Sequence, residues 1–157
     1  KSDRNNKRLS FQTDGHLFDV LFPDQIIAEK KISASALNRR LGIPLNSITN
    51  IKSLADEQAI ELNHYINDLA YFIELLNSGR FSKQSDWSEH EKKMLKGTTH
   101  FLFGGGIGQK GILSTFIMEK IQSKLSFNAQ LYQVKNAKLA ALKGLWYLLT
   151  EEAEKVF

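Results

Sequence analysis

Residues 101–109 read Phe-Leu-Phe-Gly-Gly-Gly-Ile-Gly-Gln, a short apolar run that breaks into glycines just before an amphipathic pattern begins. Residue types in that order suit an anionic ligand. Without a Cβ, the backbone at Gly104, Gly105 and Gly106 can approach a bound group closely. Free N–H groups at the start of a following helix attract anionic oxygens. Ile107 and Gln109 fall within the same turn and complete the candidate nucleotide-binding set. The competing reading of the same spacing is a glycine-lined turn that only reverses the chain into its next helix. Other chemistry is sparse. The chain has no cysteine, which excludes disulfides, thiolate zinc sites and cysteine nucleophiles. Its four histidines are scattered without metal-ligand spacing, and no side chain can be assigned as a catalytic group.

The elements that must position this turn follow from periodicity. Residues 98–103 read as a strand entering the glycines, and Ile112, Leu113, Phe116, Ile117 and Ile121 form one apolar face of the helix leaving them. Residues 129–134 alternate as a strand does, and Asn136 can cap a last helix carrying Ala137, Ala140, Ala141, Gly144, Leu145 and Leu148. Its small residues permit close approach to a ligand ring or equally to a neighbouring backbone. Upstream, residues 17–22 read as a strand ending at Pro23-Asp24, then a short helix runs through Ser33 to Leu41 and breaks at Gly42-Ile-Pro44. Ala55, Ala59, Leu62, Ile66, Leu69, Ile73 and Leu76 recur at spacings of four and three, the mark of one helix about six turns long that stops at Asn77-Ser-Gly79. Such a stripe serves either a packed core against a sheet, the reading favoured here, or a homodimer seam. Residues 78–97 turn polar, with Trp87 and Met94 as apolar anchors and capping-box spacing at 88–91 that predicts a short helix to about Lys96. The order predicts a mixed α/β domain over 11–157 with a polar surface excursion at 78–97, after a mobile basic start at 1–10.

A chain of 157 residues with 42% apolar and 24% charged residues can fold as one domain with a real core. No apolar run approaches the roughly 20 residues that span a bilayer, and no leader with a cleavage site is visible. The expectation is a soluble, cytoplasmic chain with no membrane partner; beginning at Lys1 rather than Met, it reads as a processed or excised piece. The net charge of +4 is carried mostly by Lys1, Arg4, Lys7 and Arg8. No basic face interleaved with aromatics appears elsewhere, so nucleic acid is not an expected partner.

The glycine turn, the helix and strand after it, and Ala140-Ala-Leu-Lys-Gly144-Leu together resemble the C-terminal nucleotide-binding lobe of the actin, sugar-kinase and Hsp70 superfamily. Within it the chain looks most like the ROK and bacterial glucokinase group, where a hydrophobic strand ends in Gly-Gly-Gly-[Ile/Val] and the last helix carries Ala-x-x-x-Gly. Thr13-Asp14-Gly15-His16 resembles the Glu-x-Gly-His motif of that group, and residues 29–37 resemble its Glu-x-x-x-Ser-Gly-x-x-Leu segment. The resemblance covers most of residues 11–150 and implies a ribonuclease H-like mixed sheet with packed helices. It implies that Gly104, Gly105 and Gly106 line the adenine-nucleotide side while His16 and Glu29 face a sugar, with ATP or ADP and Mg²⁺ as cofactors.

The chain also departs from the pattern. Thr13 stands where the first glutamate is expected and Ala34 where the glycine after Ser33 is expected. The cysteine-rich zinc motif of many ROK proteins is absent, and the excursion at 78–97 replaces a short connection. The Asp-x-Gly-x-Thr phosphate loop and the catalytic Asp of these kinases belong to an N-terminal half, and this chain contains no Asp-x-Gly-x-Thr. The resemblance therefore implies the C-terminal half of a sugar kinase-like protein, inactive alone and partnered by an N-terminal half. A degenerate kinase-fold interaction or regulatory module and an actin-like filament protein are the alternatives.

Overall fold

A computed structural model describes residues 17–83, 92–93, 95–108 and 111–133. His16, Gln109, Trp87, Met94, the capping box at 88–91 and the helix expected after Asn136 lie outside the described residues. In chain order the elements are strand β1 (Val20–Leu21), helices α1 (Ala28–Ile32), α2 (Ala34–Leu41) and α3 (Asp56–Ser78), strands β2 (Ser82–Lys83) and β3 (His100–Phe103), helix α4 (Ile112–Lys124) and strand β4 (Gln130–Gln133). The fold is mixed α/β. Its described strands form two separate two-stranded ladders: β1 runs antiparallel to β2, and β3 runs parallel to β4. The ribonuclease H-like sheet implied by the resemblance is a finer statement than these two ladders make.

The long apolar stripe forms α3, of 23 residues, and buries Leu62, Tyr65, Ile66, Leu69, Ala70, Phe72, Ile73 and Leu76. Ala55 and Ala59, expected on the same face, are exposed because Ala55 is the residue before the helix and the first turn projects beyond the core. There Gln58 works in two directions. Its Oε1 accepts from the Ala55 N–H at 3.0 Å, and its Nε2 donates to the last carbonyl of α2, that of Leu41, at 3.1 Å. The buried face of α3 meets chiefly α1, α2 and α4. The stripe is thus used within the chain, as favoured, but against helices more than against a sheet.

A single helix through Ser33 was expected, and the structure breaks it. Ser33 adopts extended backbone (φ −67°, ψ 162°), ending α1 and capping α2. Its Oγ accepts from the Ala36 N–H at 3.1 Å, which satisfies one of the donors orphaned at a helix start. In a continuous helix that N–H would have bonded the carbonyl of Ile32. The freed carbonyl is instead taken by the buried Tyr65 hydroxyl, which donates to it at 2.7 Å. The Tyr65 ring lies 5.9 Å beneath the Arg40 guanidinium, and Arg40 also bridges to Asp68 one turn along α3. Burial raises the Tyr65 pKa well above its ordinary value, so the hydroxyl stays a donor throughout the physiological range.

The βαβ unit of β3, α4 and β4 follows from the alternation and the 3.6-residue period read above. The register pairs His100 with Gln130 and Phe103 with Gln133, and α4 buries Leu113, Ile117 and Ile121 while Phe116 is half-buried and Ile112 exposed. The strand expected over 17–22 shrinks to two residues, because Leu17–Asp19 form a 3-10 turn and Pro23 cannot donate to a ladder. The polar excursion is closed at its base: the Gly97 N–H donates to the Asn77 carbonyl at 2.7 Å, and Asn77 Nδ2 donates to the Thr98 carbonyl at 2.9 Å. Among the described residues no helix is long and apolar enough to cross a membrane.

Two measurements test this scaffold. Tyr65→Phe keeps the packing but strands the Ile32 carbonyl in the core, and should cost about 1–3 kcal/mol in urea unfolding; an unchanged midpoint would remove the hydroxyl from the fold's essentials. At the surface, the hydrogen bond from Lys31 holds the Asp24 carboxyl below its ordinary value, with the Ile26 N–H adding to it. A depressed folded pKa stabilises above the ordinary carboxylate range and stops doing so as pH falls through the lowered value. An NMR titration should show Asp24 moving up toward the ordinary range in Lys31→Met.

Candidate functional site

The glycines follow β3 at its carboxyl end. In parallel β/α arrangements this is the end at which loops gather ligands, since each strand there passes into a turn before its helix. Gly104 leaves the strand, and Gly105–Gly108 make one helical turn. The helix expected after the glycines is α4, which starts at Ile112, after Gly111, whose N–H is taken by Ser114 Oγ at 2.9 Å. Glycines propagate a helix poorly, so the first turn does not continue into the second.

Two glycines in this turn have specific reasons. Gly105 has φ +65°, in the left-handed region that side-chain-bearing residues adopt at a cost. Gly108 is buried, and a Cβ built on it would lie 2.1 Å from the Phe103 carbonyl oxygen. The end of β3 thus sits directly on Gly108, which aims the turn. By contrast, among the described residues nothing lies within 4 Å of a Cβ on Gly104 or Gly105, so they leave the outer side of the turn open. The Gly108 N–H is bonded to the Gly104 carbonyl at 3.2 Å. The amides of Gly105, Gly106 and Ile107 come earlier than this first helical bond, as the opening amides of any helical turn do.

Gly106 joins the turn to the Ser33 elbow. A Cβ on it would lie 3.0 Å from that of Ala34. Ala34, Gly106 and Ile107 form a wall shared by two cavities. The first, of about 720 Å³, runs between β3 and the buried face of α3. Of its polar side chains, Tyr65 is bonded to Ile32, Ser33 to Ala36, and His100 Nδ1 to Thr99 Oγ1 at 3.0 Å, and Thr98 also lines it. The second, of about 680 Å³, runs from α2 past the 44–48 loop to the start of α4.

One more polar group marks this end of the parallel ladder. Gln133, paired in register with Phe103, has a buried Nε2 without a hydrogen-bond partner. A buried amide donor in that state calls for an acceptor oxygen, from water or from a ligand. Sequence reasoning passed over Gln133; its alternation within β4 was visible, but its level with the glycine turn depends on strand register.

The remaining sequence-predicted residues divide. Gly104, Gly105, Gly106 and Ile107 all lie in the wall of the first cavity. Glu29 is exposed on the first turn of α1 and lines neither cavity. Its neighbours Ser33 and Ala34 do reach the cavity wall. Gln109 and His16 lie outside the described residues. No three His, Asp or Glu side chains among the described residues come together as a metal cluster would require. Comparison with protein-family models, with curated proteins and with solved structures finds no match to this chain.

The contact at Gly108 gives a sharp contrast with Gly104. Gly108→Ala must displace the backbone at the end of β3 and should destabilise the fold by about 3 kcal/mol or more. Gly104→Ala, in open space, should change stability by less than about 1 kcal/mol. Thermal unfolding of the two variants compares them directly, and equal losses would contradict the placement of the turn.

Proposed function

We propose that this chain is the nucleotide-binding C-terminal half of a sugar kinase-like protein. The observation that carries the reading is the glycine turn at the carboxyl end of a parallel strand, with its outer face open over Gly104 and Gly105. Phosphate oxygens there would meet backbone amides at close range, and no Cβ would stand between them. The order of glutamate segment, long helix and Gly-Gly-Gly strand in the sequence is also the order of the resembled group.

In this reading the chain binds and orients nucleotide and leaves transfer to a complete cleft. Phosphoryl transfer is positioning plus charge neutralisation around the transferred group, with a carboxylate to take the acceptor's proton. The described residues offer no acidic cluster for Mg²⁺, so the cation implied by the resemblance does not fit a site made by them alone. The sugar side rests on less. Glu29 faces solvent beside Lys30 and Lys31 and could accept hydrogen bonds from a sugar only as part of a surface that another half completes. That exposure favours, as the second reading, a kinase-fold interaction module in which the nucleotide turn is retained without a sugar site.

Gly104→Glu is the discriminating variant. Its backbone is not left-handed and its surroundings are open, so a side chain is accommodated; a glutamate at Gly105 would add backbone strain at φ +65° and confuse the result. Calorimetry should show ADP with Mg²⁺ binding the native chain and affinity falling at least tenfold in Gly104→Glu with an unchanged unfolding midpoint. Equal affinity in the folded variant would remove the phosphates from this turn, and no binding to the native chain would favour the interaction module.

A further inference from the structure

We infer that Ala34 is a positioning residue for the glycine turn: its methyl, set in place by the elbow that Tyr65 holds, stops the turn from sinking toward α2 and keeps Gly104 and Gly105 on the first cavity. The inference rests on the nucleotide reading for what the turn holds, and goes beyond it in naming what holds the turn.

A run of glycines has no side chains with which to fix its own conformation, and ordering it costs more backbone freedom than ordering any other residue. Its position must come from the packing around it. At the far end of the turn, Gly108 lies against the Phe103 carbonyl and Ile107 is buried in the core. At the near end, Gly105 passes through left-handed backbone and meets no described residue within 4 Å of a Cβ. Gly106 stands between them. Among the described residues, the Ala34 methyl is the one neighbour that a Cβ on Gly106 would meet within 4 Å, at 3.0 Å.

Ala34 is itself held from both sides. It is the first residue of α2, directly after the Ser33 cap. Two positions before it the Ile32 carbonyl accepts from the Tyr65 hydroxyl at 2.7 Å, and two positions after it the Ala36 N–H donates to Ser33 Oγ at 3.1 Å. A methyl also has no rotamer through which to yield. Ala34 and Gly106 line both cavities, whereas Gly104 and Gly105 line the first alone. Removing the methyl makes room on the α2 side of Gly106, and a turn that moves into that room carries the Gly104 and Gly105 amides away from the first cavity. The methyl is also where this chain departs from the glycine of the resembled pattern, so the support belongs to this sequence.

Amide NMR spectra of the whole chain, with calorimetry of ADP and Mg²⁺, test this in Ala34→Gly, Ala34→Ser and Gly106→Ala. Ala34→Gly should shift the amide signals of Gly104, Gly105 and Ile107 and weaken ADP about fivefold. Ala34→Ser keeps the Cβ and should leave those signals in place, with ADP affinity within about twofold of native. A loss of helix propensity alone would lower the unfolding midpoint without moving the turn signals. Gly106→Ala should lower the midpoint less in Ala34→Gly than in the native chain, because the two methyls compete for one space. Unmoved turn signals or native ADP affinity in folded Ala34→Gly would overturn the inference, as would equal shifts in Ala34→Ser or additive effects of Ala34→Gly and Gly106→Ala. If the native chain bound no ADP, the nucleotide reading would fall, and the turn signals and the double variant would decide the positioning role by themselves.

Discussion

The hydrogen bond from the Tyr65 hydroxyl to the Ile32 carbonyl is the contact on which the geometry of this fold depends. A helix interrupted at Ser33 leaves a carbonyl without its normal acceptance in a region that burial has stripped of water, and such a group must be paired. Tyr65 pairs it from the middle of the longest helix, so the elbow and α3 are fixed relative to each other. Arg40, lying over the same ring and bridging to Asp68, adds a second tie between α2 and α3 at the edge of the core. With the elbow set, Ala34 is placed against Gly106, and the wall that divides the two cavities exists. A straight helix through Ser33 would carry Ala34 along another line and leave the glycine turn without its neighbour.

The glycine turn has an inner and an outer requirement, met by different residues. On the inside, Gly108 admits the Phe103 carbonyl at a distance that any side chain would forbid, so the end of β3 and the following turn lie in close contact. On the outside, Gly104 and Gly105 meet no described residue within 4 Å of a Cβ. Packing therefore accounts for Gly108 and left-handed backbone for Gly105 with no ligand at all, while Gly104 has neither reason among the described residues. The run of glycines is not one motif with one purpose.

The charge of the chain is organised locally. Lys31 is paired with Asp24 and also lies over the Phe22 ring at 5.0 Å, and Glu74 of α3 accepts from both the N–H and the hydroxyl of Ser126 in the loop after α4. These contacts fasten connections to the helices they cross. They use charge to hold loops in place.

Much of the local structure was legible in the residues. The spacing from Leu62 to Leu76 determined a buried helical stripe, Gly79 its end, and the alternation around Leu131 a strand, because side-chain period and backbone permissiveness are local properties. The glycine turn was legible as a turn for the same reason. Other features were not. Ser33 reads as readily inside a helix as at its cap, and its choice was made by Tyr65, 32 positions further along, offering a hydroxyl to the freed carbonyl. The first turn of the long helix was misjudged because Ala55 and Ala59 keep the period but find no partner surface. Gln133 comes level with the glycine turn only through register with Phe103. The sequence by itself determined the long helix, the paired strands and the turn between them; only the tertiary structure decided that the helix breaks at Ser33 and that Ala34 lies against the glycine turn, since those contacts join residues that are distant in the chain.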